Sequence, residues 1–259
     1  MKKVLCALLT CCMILSGFSA FAAESTDVQM QKALAFVKSK VDVPQELNDF
    51  SYQQNDSSIY GGKAAWSFRW TNEDRDKSIS VETVADEQII YYQNSDYSAT
   101  DSSAALAKVT KNEGEQSARQ FLHNILSASI ADALELTQSG PSGNEWNYSF
   151  VHMVNGLKVT DHTVQVNVNK STGEVTWFRG FYENGSAYPD ASDAISEQEA
   201  QNVFSESIGL ELVYRSNYDY RDGMLQVFPA YVLDTNNSMV MADGSIKQVY
   251  ELVPETAPQ

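Results

Sequence analysis

A helical pattern followed by alternating strand patterns occurs three times along this chain, at a spacing of roughly 70 to 90 residues. The predicted helices are Val28–Val41, Glu115–Ile130 and a third from Ser196 to Ile208, and their apolar residues recur every three or four positions. A helix of this kind must bury its apolar stripe against another element. The pattern therefore predicts an α+β fold of tandem units, each with one helix packed on a 3–4-stranded antiparallel sheet.

Alternation of apolar and polar residues, with turn residues between the runs, predicts the strands. Asn155-Gly156 is typical of a type I′ hairpin turn, and Gly140-Pro141-Ser142-Gly143 reads as a break between elements. The predicted strand segments are Phe50–Gln54, Ala65–Trp70 and Ile79–Gln93, then Trp146–Phe150, Thr163–Asn169 and Glu174–Phe178, then Leu210–Tyr214, Met224–Asp234 and Met239–Tyr250. Ile79–Gln93 is long enough for a hairpin with its turn at Ala85-Asp86-Glu87, and Asp243-Gly244 marks the final turn.

The first residues have the order of a secretory signal peptide. Lys2 and Lys3 precede an apolar run, Val4–Phe18, and small residues end at Ala20-Phe21-Ala22, so we expect cleavage after Ala22 and an extracytoplasmic location. A membrane anchor is the first alternative, but the run is shorter than the roughly 20 apolar residues that span a bilayer. A lipoprotein anchor is the second, but no small residue precedes any of the cysteines, which are Cys6, Cys11 and Cys12.

We therefore divide the chain into a signal peptide, 1–22, and three repeats, 23–97, 98–190 and 191–259. The mature chain would contain no cysteine and hence no disulfide. Without Lys2 and Lys3 it would have 18 − 2 = 16 basic and 34 acidic residues, a net charge of 16 − 34 = −18. Such a charge excludes nucleic acid and anionic lipid as partners. It serves either solubility or attraction to a basic partner.

Catalytic and metal-binding motifs are absent from the sequence. An imidazole base or metal ligand is limited to His123, His152 and His162, of which the last two lie in or near strands of one repeat. Two acidic segments, 72–76 and 234–238, have oxygens at the first, third and fifth positions of a calcium loop but lack its glycine and glutamate. We predict no catalytic residue, no cofactor and no metal.

Aromatic residues alternate along two predicted strands, Trp66, Phe68 and Trp70 in the first repeat and Trp146, Tyr148 and Phe150 in the second. A sheet face of this kind either stacks on sugars or peptides or packs under the helix of its own repeat. We favour core packing, since a helix must cover one face of each sheet.

The run from Asn144 to Val175 resembles the PepSY family and the related propeptide domain of thermolysin-like proteases. It contains Tyr148-Ser149-Phe150, Asn155-Gly156-Leu157-Lys158-Val159, Val164-Gln165-Val166 and Thr172-Gly173-Glu174-Val175. The triple arrangement is more narrowly similar to the YcdB/YcdC repeat proteins of bacterial envelopes. The resemblance implies cystatin-like units without catalytic activity.

The resemblance also implies a function. We expect an exported binding protein that inhibits or helps to fold a secreted or envelope peptidase, with an edge strand as the means of attachment. The alternative is a structural or carbohydrate-binding protein of the cell envelope that contacts a cell-wall component, and an enzyme ranks third. No stable membrane anchor is expected after signal cleavage.

Overall fold

The computed structural model describes residues 26–55, 63–85, 87–97, 107–180, 188–219, 223–233 and 238–248. The chain divides into two compact units. Unit 1 consists of Met1–Met153 and Lys158–Glu183, and unit 2 consists of Val154–Leu157 and Asn184–Gln259. The predicted signal segment and the acidic residues 234–237 lie outside the described part. No described helix is both long and apolar enough to cross a membrane.

The first half of unit 1 is a helix followed by four strands. The helix α1 buries Met30, Ala33 and Val37. These residues are three and four positions apart, so they lie on one apolar stripe of the helix. The elements are α1, Thr26–Lys40, then β1, Asp49–Asn55, β2, Ala65–Thr71, β3, Lys77–Val84, and β4, Gln88–Asp96. Each strand pairs with the next in antiparallel register.

The second half repeats this order with one additional short helix. The elements are α2, Lys111–Ile125, and α3, Ala128–Asp132, then β5, Leu134–Ser142, β6, Glu145–Val154, β7, Leu157–Asn169, and β8, Val175–Gly180. A capping box between Thr110 and Glu113 begins α2. Asn155 and Gly156 both have positive φ, 51° and 79°, as the predicted type I′ turn requires.

The two halves form a single eight-stranded sheet in the order β1-β2-β3-β4-β8-β7-β6-β5. The halves join where β4 pairs antiparallel with β8, with Tyr92 opposite Phe178. Phe121 of α2 lies over this junction, with ring centroids 5.1 Å from Tyr92 and 5.8 Å from Phe178. Residues of both halves therefore share one hydrophobic core.

The two helices of this core are also linked at their C-terminal ends. The Asn124 side chain donates a hydrogen bond of 2.6 Å to the Lys40 carbonyl, and the Lys40 ammonium donates one of 3.0 Å to the Asn124 carbonyl. A side chain that caps a terminal carbonyl satisfies a backbone acceptor that the helix leaves open. The reciprocal pair joins α1 to α2 although 84 residues separate them.

The aromatic stripes lie in the core, as predicted. Trp66, Phe68, Tyr148 and Phe150 are at most 2% exposed, Trp70 is 5% exposed, and Trp146 is partly buried against the same cluster. The Trp146 indole donates 2.9 Å to the Val109 carbonyl, and the Tyr148 hydroxyl donates 2.6 Å to the Lys111 carbonyl. Burial, together with the charge of Glu115, raises the pKa of Tyr148 to about 12.

Gly114 explains why α2 can approach this stripe so closely. A Cβ at this position would collide with the Tyr148 hydroxyl and press against Trp146. Glycine normally weakens a helix by about 1 kcal/mol relative to alanine. Here the absent side chain makes room for the aromatic ring that fills the helix–sheet interface.

Unit 2 contains a helix and two separate two-stranded sheets. The helix α4, Glu197–Ser207, begins with the predicted capping box between Ser196 and Glu199, and none of its residues is buried. The strands are β9, Leu210–Asp219, paired with β10, Met224–Leu233, and β11, Ser238–Val240, paired with β12, Ile246–Gln248. The β9–β10 ribbon exposes much of its apolar surface.

The mixed α+β class with antiparallel sheets is confirmed, but tandem units with one helix and their own sheet are not. The first two repeats share one continuous sheet, because the last strand of each pairs with the other. The second repeat has two helices, since Leu126 and Ser127 are extended between α2 and α3, where one helix was predicted. The predicted break at residues 140–143 is also wrong, because β5 continues to Ser142 against β6.

We expect Phe68→Ala and Tyr148→Ala each to lower the free energy of unfolding of unit 1 by on the order of 3 kcal/mol or more, because each leaves a cavity in a filled core. Tyr97→Ala is the matched control, since Tyr97 is 74% exposed and surface changes usually stay within about 0.5 kcal/mol. All four tryptophans belong to unit 1, so denaturant melts followed by tryptophan fluorescence report on it specifically. Melts of both core variants that match wild type would contradict the core assignment.

Candidate functional site

The face of the eight-stranded sheet that lies opposite the helices is polar. Successive side chains of a strand point to opposite faces, so the residues between the buried positions share this second face. Strand register aligns them in two polar rows that each cross six strands. One row is Ser51, Arg69, Ser80, Gln93, Trp177 and Asn167, and the other is Gln53, Ser67, Glu82, Tyr91, Arg179 and Gln165.

Two grooves run over this polar face. The larger, of about 1030 Å³, is lined by β4, β8, β7 and β6 and by Ser142 and Asn144. The smaller, of about 480 Å³, is lined by β1, β2, β3 and β4. Gln93 lines both grooves. Together they give the face a concave path of polar groups.

Hydrogen bonds hold the side chains of the larger groove in place. The Asn147 amide donates 2.7 Å to Asn167 Oδ1, and the Asn167 amide donates 2.8 Å to Glu145 Oε2. The Thr176 hydroxyl donates 2.5 Å to the other oxygen of Glu145. Each of these groups keeps hydrogen-bonding capacity beyond these contacts, since an amide has two donors and a carboxylate several lone pairs. The network therefore presents ordered donors and acceptors to the groove.

Two aromatic rings stand among these polar groups. Tyr91 and Trp177 are partly buried, and their rings meet edge to face with centroids 6.4 Å apart at 88°. The Tyr91 hydroxyl donates 2.5 Å to the Gln93 side chain. Trp177 lines the larger groove and Tyr91 the smaller. Both grooves thus combine hydrogen-bonding groups with aromatic rings, Tyr97 and Trp177 in the larger and Tyr52, Phe68 and Tyr91 in the smaller.

The two grooves differ in charge. The larger is lined by Asp96, Glu145 and Glu174 and by no lysine or arginine, whereas the smaller is lined by Arg69 and Glu82. Lys77 Nζ lies 3.8 Å from Asp96, so Glu145 and Glu174 give the lining most of its negative charge, which repels anions. The larger groove therefore suits a neutral or cationic ligand.

The edges of the sheet are different from each other. At one edge, β1 is a regular strand without proline, lysine or a bulge, and Phe50 and Tyr52 extend the aromatic core face to the rim, 37% and 51% exposed. The Phe50 ring lies 5.3 Å from that of Trp70. At the other edge, β5 contains a register shift between Leu136 and Gln138 and ends near Pro141. Bulges and proline protect an edge from further strand pairing, so among the described strands β1 is the open edge of this sheet.

Two of the three histidines singled out from the sequence come together. His152 and His162 lie on neighbouring strands, 6% and 9% exposed, with parallel rings whose centroids are 5.9 Å apart. His123 is exposed on α2, and its Nε2 lies 3.8 Å from Asp132. Within the described ranges, no three His, Cys, Asp or Glu side chains form a metal-binding group.

The acidic segment 72–76 forms a turn between β2 and β3. The Asn72 side-chain oxygen accepts 3.0 Å from the Lys77 backbone, and its amide donates 2.6 Å to Asp76. Arg75 has a positive φ of 59° at the tip. The side-chain oxygens of Asn72 and Asp76, at the first and fifth positions of the predicted loop, are thus hydrogen-bonded within the turn.

The sequence interpretation expected attachment through an edge strand but did not identify β1 as that edge, and it missed the polar face as a candidate site. The sequence signal for the polar face was the polar residues that alternate with buried ones. They are Gln165 and Asn167, between the buried valines of β7, and Ser67 and Arg69 in β2. Alternation shows that such residues share a face, but register is needed to align rows across six strands.

Comparison with known proteins gives one family and one solved structure. The family described as the YcdB, YcdC repeated domain matches residues 30–181, which contain the whole eight-stranded sheet. The Bacillus megaterium YpeB C-terminal domain is a solved structure with a TM-score of 0.45 and 14% sequence identity, covering 86% of this chain and 97% of its own. A search of the curated proteins found no match.

We expect unit 1 to lose stability as the pH falls below about 6.5, the ordinary histidine value. Burial, and then the charge of His162, lowers the pKa of His152 in the folded protein. Between the lowered pKa and the ordinary one, the unfolded chain binds the additional proton, so the free energy of unfolding decreases as the pH falls through this window. Denaturant melts at about pH 7.5 and about pH 5.5 measure the change.

His152→Gln should make the dependence of these melts on pH shallower, since the side chain no longer titrates. His123→Gln is the control for loss of a histidine side chain, since His123 is exposed on α2. Equal dependence in wild type and His152→Gln would contradict the assignment.

Proposed function

Because this chain belongs to the family of the YcdB, YcdC repeated domain, we propose that it is an exported, non-catalytic protein that binds a secreted or envelope peptidase. The bound segment of the peptidase adds to the open edge of β1 as a further strand. The observation that carries this proposal is the contrast between the two edges of the sheet: β1 is regular and unprotected, whereas β5 is bulged.

The geometry of β1 is suited to strand addition. A peptide that pairs with β1 gains main-chain hydrogen bonds, and its alternate side chains gain contact with Phe50 and Tyr52. These two rings are stacked, with centroids 6.1 Å apart, and continue the aromatic ladder of Phe68 and Trp70. An added strand would therefore extend an apolar face that is already ordered.

The choice of a peptidase rests on the sequence resemblance. The run from Asn144 to Val175 is similar to the PepSY family and to protease propeptide domains, and we interpret each helix-plus-strands repeat of unit 1 as a PepSY-like unit. The proposal is non-catalytic because the sequence contains no recognised nucleophile motif and because the PepSY resemblance implies binding domains. Export rests on the signal-like order of residues 1–22.

The test is inhibition of a purified thermolysin-type peptidase from the same organism by near-stoichiometric amounts of this protein. We expect Tyr52→Lys to weaken inhibition by about tenfold or more, a loss of about 1.4 kcal/mol, because a charge on an edge strand opposes pairing. Gln138→Lys on the opposite edge is the matched control and should inhibit like wild type. Absence of inhibition by wild type, or equal inhibition by both variants, would overturn the proposal.

A second candidate function is the binding of a cell-wall saccharide, and the larger groove favours it. Sugar hydroxyls hydrogen-bond to fixed amides and carboxylates such as Asn147, Asn167 and Glu145. The C–H groups of a sugar ring carry partial positive charge and pack on the negative face of an aromatic ring such as Trp177. The absence of lysine and arginine from the lining agrees with a neutral saccharide.

Calorimetric titration with soluble N-acetylglucosamine oligomers tests this candidate. We expect Trp177→Ala to weaken binding by about tenfold, since stacked aromatic contacts are worth about 1 kcal/mol or more. Gln138→Ala, outside both grooves, should bind like wild type. Failure of wild type to bind the oligomers, or unchanged binding by Trp177→Ala, would exclude the groove as a saccharide site.

A further inference from the structure

We propose that the polar face of the eight-stranded sheet is one continuous site for a linear, neutral oligosaccharide, which lies across the strands and occupies both grooves. This inference rests on the second candidate function, the binding of a cell-wall saccharide. It extends that function from the larger groove to the whole polar face, and it sets the length and the direction of the ligand.

The two grooves meet at the junction between β4 and β8. Gln93 lines both grooves and lies directly opposite Trp177 of the larger groove. Tyr91 of the smaller groove donates a hydrogen bond of 2.5 Å to the Gln93 side chain, and its ring contacts that of Trp177. The side chains that end one groove therefore begin the other, so one ligand can contact both.

The two aromatic rings at this junction occupy equivalent positions in the two halves of the sheet. Each half runs from its first strand at an edge to its last strand at the centre, where Tyr92 lies opposite Phe178. Tyr91 comes directly before Tyr92, and Trp177 comes directly before Phe178. Each repeat thus supplies one ring to the polar face at the same place, which gives two neighbouring stacking positions with centroids 6.4 Å apart.

The spacing of the strands sets the length of the ligand. The grooves extend across the sheet from β1 to β6, which are separated by six strand intervals. At about 4.8 Å for each interval, the path is about 29 Å long, and the larger groove, from β4 to β6, accounts for about 14 Å of it. In an extended saccharide each sugar adds a length close to one strand interval. A hexamer therefore covers the whole path, whereas a dimer fits within the larger groove.

The groups along this path favour a saccharide over a peptide or a polyanion. Sugar hydroxyls both donate and accept hydrogen bonds, so they can pair with the amides and carboxylates of the larger groove and with Arg69 and Glu82 of the smaller. A peptide laid across the strands finds no open edge for its main chain, because the strands between β1 and β5 are each paired on both sides. A polyanion is repelled by Glu145 and Glu174.

Calorimetric titration of the chain from residue 23 with the N-acetylglucosamine dimer and hexamer tests the proposal. We expect one hexamer to bind each chain about tenfold or more tightly than the dimer, because contacts in the second groove form intramolecularly once the first groove is occupied. Trp177→Ala should weaken the binding of both oligomers, since both use the larger groove.

Arg69→Ala separates the continuous site from a site confined to the larger groove. Arg69 is exposed on β2 and lines the smaller groove alone. Its loss should weaken hexamer binding by about tenfold, because hydrogen bonds from a charged donor are lost, and should leave dimer binding unchanged. Arg215→Ala is the matched control, since it removes the same charge from an exposed position of β9 outside both grooves. It should bind both oligomers like wild type.

The outcomes distinguish this inference from the function on which it rests. Equal affinity of wild type for dimer and hexamer, or a hexamer affinity that Arg69→Ala leaves unchanged, overturns the continuous site. Under either result, weaker binding by Trp177→Ala would still support a saccharide site in the larger groove. Failure of wild type to bind either oligomer overturns both the saccharide function and the continuous site.

Discussion

The antiparallel pairing of β4 with β8 is the interaction on which the rest of unit 1 depends. It turns two four-stranded halves into one eight-stranded sheet and brings α1 and α2 over the same face. Phe121 lies over the junction between Tyr92 and Phe178, so the two halves contribute to one cluster of side chains. A four-stranded layer under a single helix buries little apolar area, and the fraction of surface that a chain buries rises with its size. Joining the halves therefore stabilises both.

The same sheet divides the molecule into surfaces with different chemistry. Helices cover one face, so the positions that face them are Val, Phe, Tyr and Trp, and the other face carries Ser, Asn, Gln and charged residues. Side chains such as Asn167 and Trp177 are ordered by the core residues that alternate with them along the same strands. Rigidity of the core is thus transmitted to the grooves, and a preorganised site loses less conformational entropy when it binds a ligand.

The open features of this protein are all suited to binding another molecule. The β1 edge offers backbone groups and two aromatic rings, and the larger groove offers ordered polar groups. The proposed binding role of this member of the YcdB, YcdC repeated-domain family draws on these two surfaces.

Local chemistry determined much of this structure from the sequence. The apolar steps of α1, the capping box at Ser196 and the turn at Asn155-Gly156 depend on neighbouring residues, and alternation placed Phe68 and Tyr148 in a core. Only the tertiary structure decided four other features: the pairing of β4 with β8, the polar rows, the approach of His152 to His162, and the contrast between the two sheet edges. The physical reason is that alternation assigns a residue to a face, whereas strand order and register, which join segments distant in the chain, decide which residues share that face.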